Sequence, residues 1–145
     1  MRIYLDNCSL NRPFDDQSKM RIRLEAEAIL FMQGKIAAHE IEMAWSYIID
    51  YENSLNPFDE KQSALNDLKV FAVKDTNETA SILKNSSSIQ KLGLKAFDAL
   101  HIACAIETGC DYFLTTDDSI LKKLSEFDKI KAINPIELIS ILEEK

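Results

Sequence analysis

The chain has 145 residues, a length that fits one domain and can bury roughly 70% of the surface that its unfolded form exposes. Its formal net charge of -7, from 24 Asp and Glu against 17 Lys and Arg, argues against a nucleic-acid binder that works by bulk electrostatic attraction. The 3 cysteines contain no CxxC pair and only 2 histidines accompany them, so neither a disulfide framework nor a zinc site is predicted.

The elements alternate between strands and helices in the first half of the chain. Ile3, Tyr4 and Leu5 favour extended structure, and a loop containing Pro13 follows them. We predict strands over residues 2–5, 41–45 and 70–73, a loop over 11–16, and helices over 18–35, 46–54 and 59–68.

The second half continues in the same way. Thr76 is the predicted N-cap of a helix that reaches Lys91, although the serines near residue 86 weaken it. The clearest helix covers residues 95–108, is apolar on nearly all sides and is therefore predicted to be buried. Strands at 112–114 and 130–133, a short helix at 119–124 and a final helix at 135–143 complete the pattern. Strands alternating with helices predict a single α/β domain over residues 1–145, with a mostly parallel sheet of four to five strands covered on both faces.

Several carboxylates stand where an open α/β sheet forms its sites, beyond the carboxyl ends of the strands. Asp6 follows the first strand, Asp117 and Asp118 follow the strand at 112–114, Asp98 interrupts the most apolar helix, and Glu52 lies on the helix after the second strand. Each has a bland alternative as a turn, cap, helix-start or surface residue. The combination is harder to explain, because two acids end non-adjacent strands and none has an obvious cationic partner within its motif.

Carboxylates gathered in one pocket call for a cation. Two unit charges ~4 Å apart repel by about 4 kcal/mol at an effective dielectric of 20. Hard oxygen ligands suit Mg²⁺ or Mn²⁺, which acidify a bound water and offset charge on the leaving oxygen of a phosphodiester. Such ions would also answer the objection from net charge, because they rather than a basic groove would attract the phosphate.

At these residues the sequence resembles the PIN-domain family, whose members include the ribonuclease toxins of bacterial toxin–antitoxin pairs. The segment IYLDNC resembles the family's first motif, which places a metal-binding acid at Asp6 with Asn7 beside it. The segment SYIIDYE resembles the second motif, in which a serine, here Ser46, precedes the acidic Glu52 by six positions.

The third and fourth motifs are the most specific. KAFDALHIACA carries Asp98, and FLTTDDSIL carries Thr116 and Asp118, with Asp117 as a possible assistant. The resemblance covers essentially the whole chain. The NRPFDDQ segment after the first motif is longer than its counterpart in the compact toxins. The resemblance therefore does not assign the substrate or the partner of those toxins to this chain.

The resemblance implies a three-layer α/β/α sandwich, a Mg²⁺- or Mn²⁺-dependent endoribonuclease with RNA as substrate, a homodimer and an antitoxin protein as a possible partner. It would make Asp6, Glu52, Asp98 and Asp118 catalytic and would add Asp117 as a metal ligand. Phosphate contacts could come from cations near Asp6 in sequence, for which a solvated helix face is the alternative; they are Arg12, Lys19, Arg21 and Arg23. The dimer interface expected by analogy includes residues 18–35 and 56–57.

Two other functions compete with this hypothesis. One is a non-catalytic PIN-like scaffold that binds RNA or protein, against which the intact acids argue. The other is a phosphotransferase with Asp6 as nucleophile, but such enzymes of the haloacid-dehalogenase type want a second Asp where Cys8 stands. His101, three positions after Asp98, is expected to pack or to support the site. We expect a cytoplasmic protein with no membrane span, because the chain begins in strand-like sequence and no run approaches ~20 apolar residues.

Overall fold

A single five-stranded sheet forms the centre of the computed structural model, which describes residues 1–144. All strand pairs are parallel and the order is β3-β2-β1-β4-β5. The strands are β1 (Arg2–Leu5), β2 (Glu42–Ser46), β3 (Lys74–Thr76), β4 (Tyr112–Leu114) and β5 (Lys131–Ile133). Parallel neighbours need a crossover, which the helices supply here.

Eight helices lie among the described residues and cover the sheet. They are α1 (Asn7–Asn11), α2 (Met20–Ala37), α3 (Tyr47–Ser54), α4 (Asp59–Lys69), α5 (Ala80–Gln90), α6 (Ala96–Glu107), α7 (Asp118–Lys123) and α8 (Pro135–Glu143). Helix α5 packs mainly on α6, and α2 packs on α8. The predicted three-layer α/β/α sandwich with a mostly parallel sheet is confirmed. No helix within residues 1–144 combines the length and the apolar character needed to cross a membrane.

The core lies on both faces of the central strands. Tyr4 of β1, Trp45 of β2 and Phe113 of β4 are completely buried, and the rings of Tyr4 and Phe113 stack with centroids 5.7 Å apart. Helix α6 buries five consecutive residues from His101 to Ala105, which agrees with its predicted central position.

The chain reverses its direction of winding between β1 and β4. It builds β2 and β3 on one side of β1 and then crosses to build β4 and β5 on the other. Strands β1 and β4, far apart in the sequence, are therefore hydrogen-bonded neighbours with Leu5 opposite Leu114. A crevice forms outside the carboxyl ends of strands at such a switch point, and Asp6 and Thr115 follow these two ends.

The predicted strand at 70–73 is wrong. Residues 70 and 73 are exposed, Val70 by 80%, and the backbone turns at the end of α4 through bonds from Phe71 to Leu68 and from Ala72 to Lys69. The apolar character there reflects Phe71 and Ala72 packing against the core. The edge strand β3 lies at 74–76 and pairs only with β2.

Two further boundaries differ from the prediction. Thr76 ends β3, and the N-cap of α5 is Thr79, whose hydroxyl accepts a bond from the Ile82 amide at 3.1 Å. The predicted loop at 11–16 contains the end of α1 and a 3₁₀ turn over Arg12–Phe14. Helix α5 runs unbroken through its serines, with Ser86 buried.

Candidate active site

Asp6 is a buried carboxyl group at the end of β1. It caps α1, with Oδ1 accepting the Ser9 amide at 2.9 Å, and its side chain is 2% exposed. Burial raises its pKa to about 6, although hydrogen bonds from Thr115 and Ser9 lower it, as does His101 when it is protonated. The hydrogen bonds and charges of the protein therefore do not fully offset the cost of burying the negative charge of Asp6.

Glu52 reaches the site from α3, the helix that follows β2. Ser46, the last residue of β2, caps α3 by accepting the Ile49 amide at 3.4 Å. This cap sets the direction of the helix and brings Glu52 Oε1 against His101 Nε2 of α6. Ser46 thus serves as a helix cap, at the position where the resemblance implies a supporting residue.

Asp98 lies half-buried in the first turn of α6. Burial raises its pKa above the ordinary value, and the negative charges of Asp117 and Glu52 raise it further, whereas His101 and Lys95 lower it. Glu52 of α3 and Asp117 after β4 therefore both lie close enough to Asp98 to disfavour its negative charge.

The two adjacent acids after β4 face different surroundings. Asp117 caps α7 through Oδ1, which accepts the Ser119 amide at 2.8 Å, and it lines a cleft together with Thr116. Asp118 is 68% exposed and forms a bidentate pair with Arg21, at 2.7 and 2.6 Å. These bonds lower the pKa of Asp118. The structure thus brings Asp117 to the other acids and turns Asp118 towards α2.

Two open clefts flank α1. One, of about 390 Å³, is lined by Arg12, Asp117 and Thr116 among others; the second, of about 250 Å³, contains Glu52. Asn7 and Asn11 line both clefts, and the Asn11 side chain donates to the Asn7 carbonyl and side chain at 2.9 and 2.8 Å. Helix α1 therefore stands at the centre of the site.

The acids are not placed as a finished metal centre. Within residues 1–144, no three or more His, Cys, Asp or Glu side chains are arranged to hold an ion as they stand. The chemistry of the donor set still fits Mg²⁺ or Mn²⁺, because Asp6, Glu52, Asp98 and Asp117 supply only hard oxygen atoms.

Two of the four predicted phosphate-binding cations, Arg12 and Arg21, are paired with carboxylates. Glu25 of α2, whose side chain is 0% exposed, pairs with Arg12 at 3.2 Å and with Arg21 at 3.4 Å, and it accepts a bond from Asn134. Arg12 also pairs with Asp15 at 3.0 Å. Among the four predicted cations, only Arg12 lines the cleft that contains Asp117. The other two predicted cations, Lys19 and Arg23, are exposed near the start of α2.

Sequence reasoning missed two residues of this region. Glu25 carries a detectable signal, since it lies at helical spacing from Ile22 and Ile29 and so places a charge on the buried face of α2. Tyr4 carries none, because a tyrosine in a strand is ordinary, and only the fold shows its hydroxyl 2.6 Å from His101 Nδ1.

The architecture and the position of the acids define an α/β protein with a candidate site at a topological switch point. A family model of the PIN domain matches residues 3–126. The chain therefore belongs to the PIN-domain family, as the sequence resemblance indicated. No curated protein sequence matches it.

The fold is shared with solved structures, among them the following two. The crystal structure of FitAcB from Neisseria gonorrhoeae has a TM-score of 0.61 and 14% identity, over 92% of this chain and 97% of that one. The structure of VapBC2 from Rickettsia felis, bound to a DNA fragment from its promoter, has a TM-score of 0.57 and 14% identity, over 92% and 98%. At this identity the likeness is one of fold.

Proposed function

We propose that this protein is a divalent-metal-dependent endoribonuclease that hydrolyses RNA phosphodiester bonds at the carboxyl edge of its sheet. Asp6 is the observation that carries the proposal. It is a buried carboxyl group at the switch point with a pKa raised to about 6, and no Lys or Arg within residues 1–144 forms an ion pair with it. A cation from outside the chain would supply the missing compensation.

The residues that would hold Mg²⁺ or Mn²⁺ are Asp6, Glu52, Asp98 and Asp117. We assign Asp117 rather than Asp118 as the fourth acid, because Asp117 lines the cleft and its charge acts on Asp98, whereas Asp118 is paired with Arg21. When bound, the ion would lower the pKa of a water molecule and offset charge on the leaving oxygen.

The chain itself would contribute the shape of the site. The capping bonds of Asp6 and Asp117 orient these two carboxylates at the ends of adjacent strands. Asn7, which lines both clefts, and Thr116 offer neutral polar groups to a substrate or to water. Arg12 lies on the wall of the same cleft as Asp117, where a phosphate next to the reacting one could contact it.

RNA as the substrate, and a role as the toxin of a toxin–antitoxin pair, are proposed from the resemblance to PIN-domain ribonuclease toxins. The shared fold with FitAcB and VapBC2 supports this choice. Growth arrest on expression, relieved by the product of an adjacent gene, would test the toxin role. We also propose a homodimer, which light scattering at tens of micromolar would test against a monomeric mass.

The decisive experiment is cleavage of end-labelled single-stranded RNA with Mg²⁺ or Mn²⁺, with and without EDTA. The wild type and Asp67→Asn, a change of an exposed carboxyl group on α4, should both cut, and Asp6→Asn should not. Cleavage that persists in EDTA or in Asp6→Asn would contradict the proposal. Metal-independent RNA binding without any cleavage would instead indicate a non-catalytic scaffold.

A further inference from the structure

Four side chains from four different elements form a continuous line of polar contacts, which we call the tyrosine–histidine network. The Tyr4 hydroxyl of β1 lies 2.7 Å from Ser46 Oγ of β2 and 2.6 Å from His101 Nδ1 of α6. His101 Nε2 contacts Glu52 Oε1 of α3. Tyr4, Ser46 and His101 are at most 1% exposed, and only Glu52 reaches the surface.

The ionisation of Glu52, at one end of the network, determines which group donates in each of its hydrogen bonds. An ionised Glu52 can only accept, so His101 Nε2 must carry a hydrogen. A neutral imidazole protonated at Nε2 presents Nδ1 as an acceptor, so the Tyr4 hydroxyl donates to it.

The tyrosine oxygen can then accept the hydroxyl proton of Ser46. Ser46 in turn accepts the Ile49 amide at 3.4 Å. Burial raises the pKa of Tyr4 well above its usual value, which keeps the hydroxyl protonated and able to donate. The arrangement therefore satisfies the buried polar atoms from β1 to α3.

We propose that Tyr4 and His101 are positioning residues that hold the Glu52 carboxylate in the metal site, with His101 Nε2–H donating to Glu52 and the Tyr4 hydroxyl in contact with His101 Nδ1. This inference rests on the proposed function for its metal, but the network exists in the metal-free protein.

A positioning role is needed because Glu52 is a long side chain on a partly exposed helix face. Its neighbour Tyr51 is exposed, so solvent lies within reach of the same turn. A free glutamate loses substantial rotamer entropy when it is fixed in one direction. His101 itself is buried, and Asp98 lies one turn away on the same helix. The imidazole therefore ties the Glu52 carboxylate to the helix that carries Asp98.

The first test observes the tautomer directly in the metal-free protein. The chain has 2 histidines, and His39 is exposed, so it serves as an internal reference. At a pH at which both imidazoles are neutral, long-range ¹⁵N–¹H correlation spectra should show the His101 proton on Nε2, while His39 exchanges between tautomers. A His101 protonated at Nδ1 when neutral would overturn the proposed network.

The second test measures Mn²⁺ affinity by titration calorimetry, with the metal alone as the probe. His101→Leu should weaken binding about 10- to 100-fold, the range for losing a partner that orients a metal ligand. His101→Gln should restore part of the affinity, because its amide can donate to Glu52. Tyr4→Phe should weaken binding less than His101→Leu.

Tyr47→Phe is the matched control for Tyr4→Phe. Tyr47 is the first residue of the helix that carries Glu52. Its hydroxyl is buried and has no hydrogen-bond partner within residues 1–144. Its removal should leave Mn²⁺ affinity unchanged. A merely structural role for Tyr4 and His101 would lower the melting temperature without changing the affinity of the folded protein for Mn²⁺.

The outcomes separate the two proposals. If the wild type binds Mn²⁺ and His101→Leu binds it equally well, the positioning role is wrong and the proposed function stands. If the wild type binds no Mn²⁺ at all, the proposed metal site fails and the positioning role fails with it. In that case the NMR assignment of the protonated nitrogen of His101 still tests whether the network forms. If His101→Leu does not fold, the Mn²⁺ affinities of Tyr4→Phe and Tyr47→Phe are compared instead, and a weaker affinity for Tyr4→Phe alone supports the positioning role.

Discussion

Replacing Asp6 by Asn tests whether the buried carboxyl group is held for a reason other than stability. Asn keeps the size of the side chain and is as good an N-cap as Asp, so the bond to the Ser9 amide can persist. The change removes the charge and replaces one carboxylate oxygen by an amide NH2, which can donate to the Thr115 hydroxyl instead of accepting from it. In the metal-free protein we therefore expect Asp6→Asn to be more stable than the wild type at neutral pH.

The magnitude follows from the pKa of Asp6. Its pKa rises from 3.8 to about 6 in the folded protein because burial disfavours the charged form. Between these two values the folded state binds more protons than the unfolded state, so wild-type stability falls as the pH rises. A shift of this size corresponds to at most about 3 kcal/mol. The advantage of Asp6→Asn should be near zero below about pH 4, grow through this window and level off above about pH 6.

Urea unfolding in EDTA at several pH values measures this difference. Asp67→Asn, which alters an exposed carboxyl group, should track the wild type within about 0.5 kcal/mol. An Asp6→Asn protein that is less stable than the wild type at about pH 8 would refute the reasoning, as would a difference that does not change with pH. Either result would mean that the capping bonds outweigh the cost of burying the charge.

Three further expectations follow from the site. Asp98→Asn should keep or slightly raise metal-free stability, and Mn²⁺ should raise its melting temperature less than that of the wild type, because a ligand of the folded state has been lost; equal shifts in a thermal melt would remove Asp98 from the site. Asp117→Asn should abolish RNA cleavage while Asp118→Asn retains it, and the reverse result in the same assay would restore Asp118 as the fourth acid. Glu25→Gln should lower the free energy of unfolding by about 3 kcal/mol, because it removes the buried charge that pairs with both Arg12 and Arg21 and leaves the partly buried Arg12 with Asp15 alone; a loss below about 0.5 kcal/mol would show that the pair is worth no more than a surface one.

The strand ends were predictable because local chemistry marks them. A β-favouring run that stops at Asp6 and another that stops at Thr115 need no long-range information, and α6 is apolar enough to be recognised alone. Parallel pairing then places both ends on one edge of the sheet. What the sequence does not contain is the order of the strands, which makes β1 and β4 neighbours.

The edge strand shows where local reasoning fails. Residues 70–73 are more apolar than residues 74–76, yet the second segment pairs with β2. The apolar run closes the end of α4 over the core, whereas Lys74–Thr76 is exposed or half-buried and carries no hydrophobic signal. An edge strand is specified by its partner and by solubility rather than by its own hydrophobicity. The prediction was therefore wrong because an apolar run can cover the core at the end of a helix as well as form a strand.

The choice between Asp117 and Asp118 depends on contacts that no local pattern encodes. Both acids precede a helix, and either could cap it. The bidentate pair of Asp118 comes from Arg21, 97 positions earlier in the chain, and the same separation of 97 joins Tyr4 to His101. Each of these contacts joins an element on the β1 side of the sheet to one that follows the crossover, so only the assembled fold reveals them.

The pairing of the arginines also bears on how an acidic protein could act on a polyanion. Arg12 and Arg21 share the buried Glu25, and each has a further carboxylate partner, Asp15 and Asp118. Two positive charges are thus matched by three negative ones, so this region offers no net attraction to phosphate. A basic groove is therefore not the means by which the proposed nuclease would recruit RNA. The poorly compensated acids around Asp6 make a bound cation the simplest source of that attraction, since it would reverse the local sign of charge where the bond is to be cut.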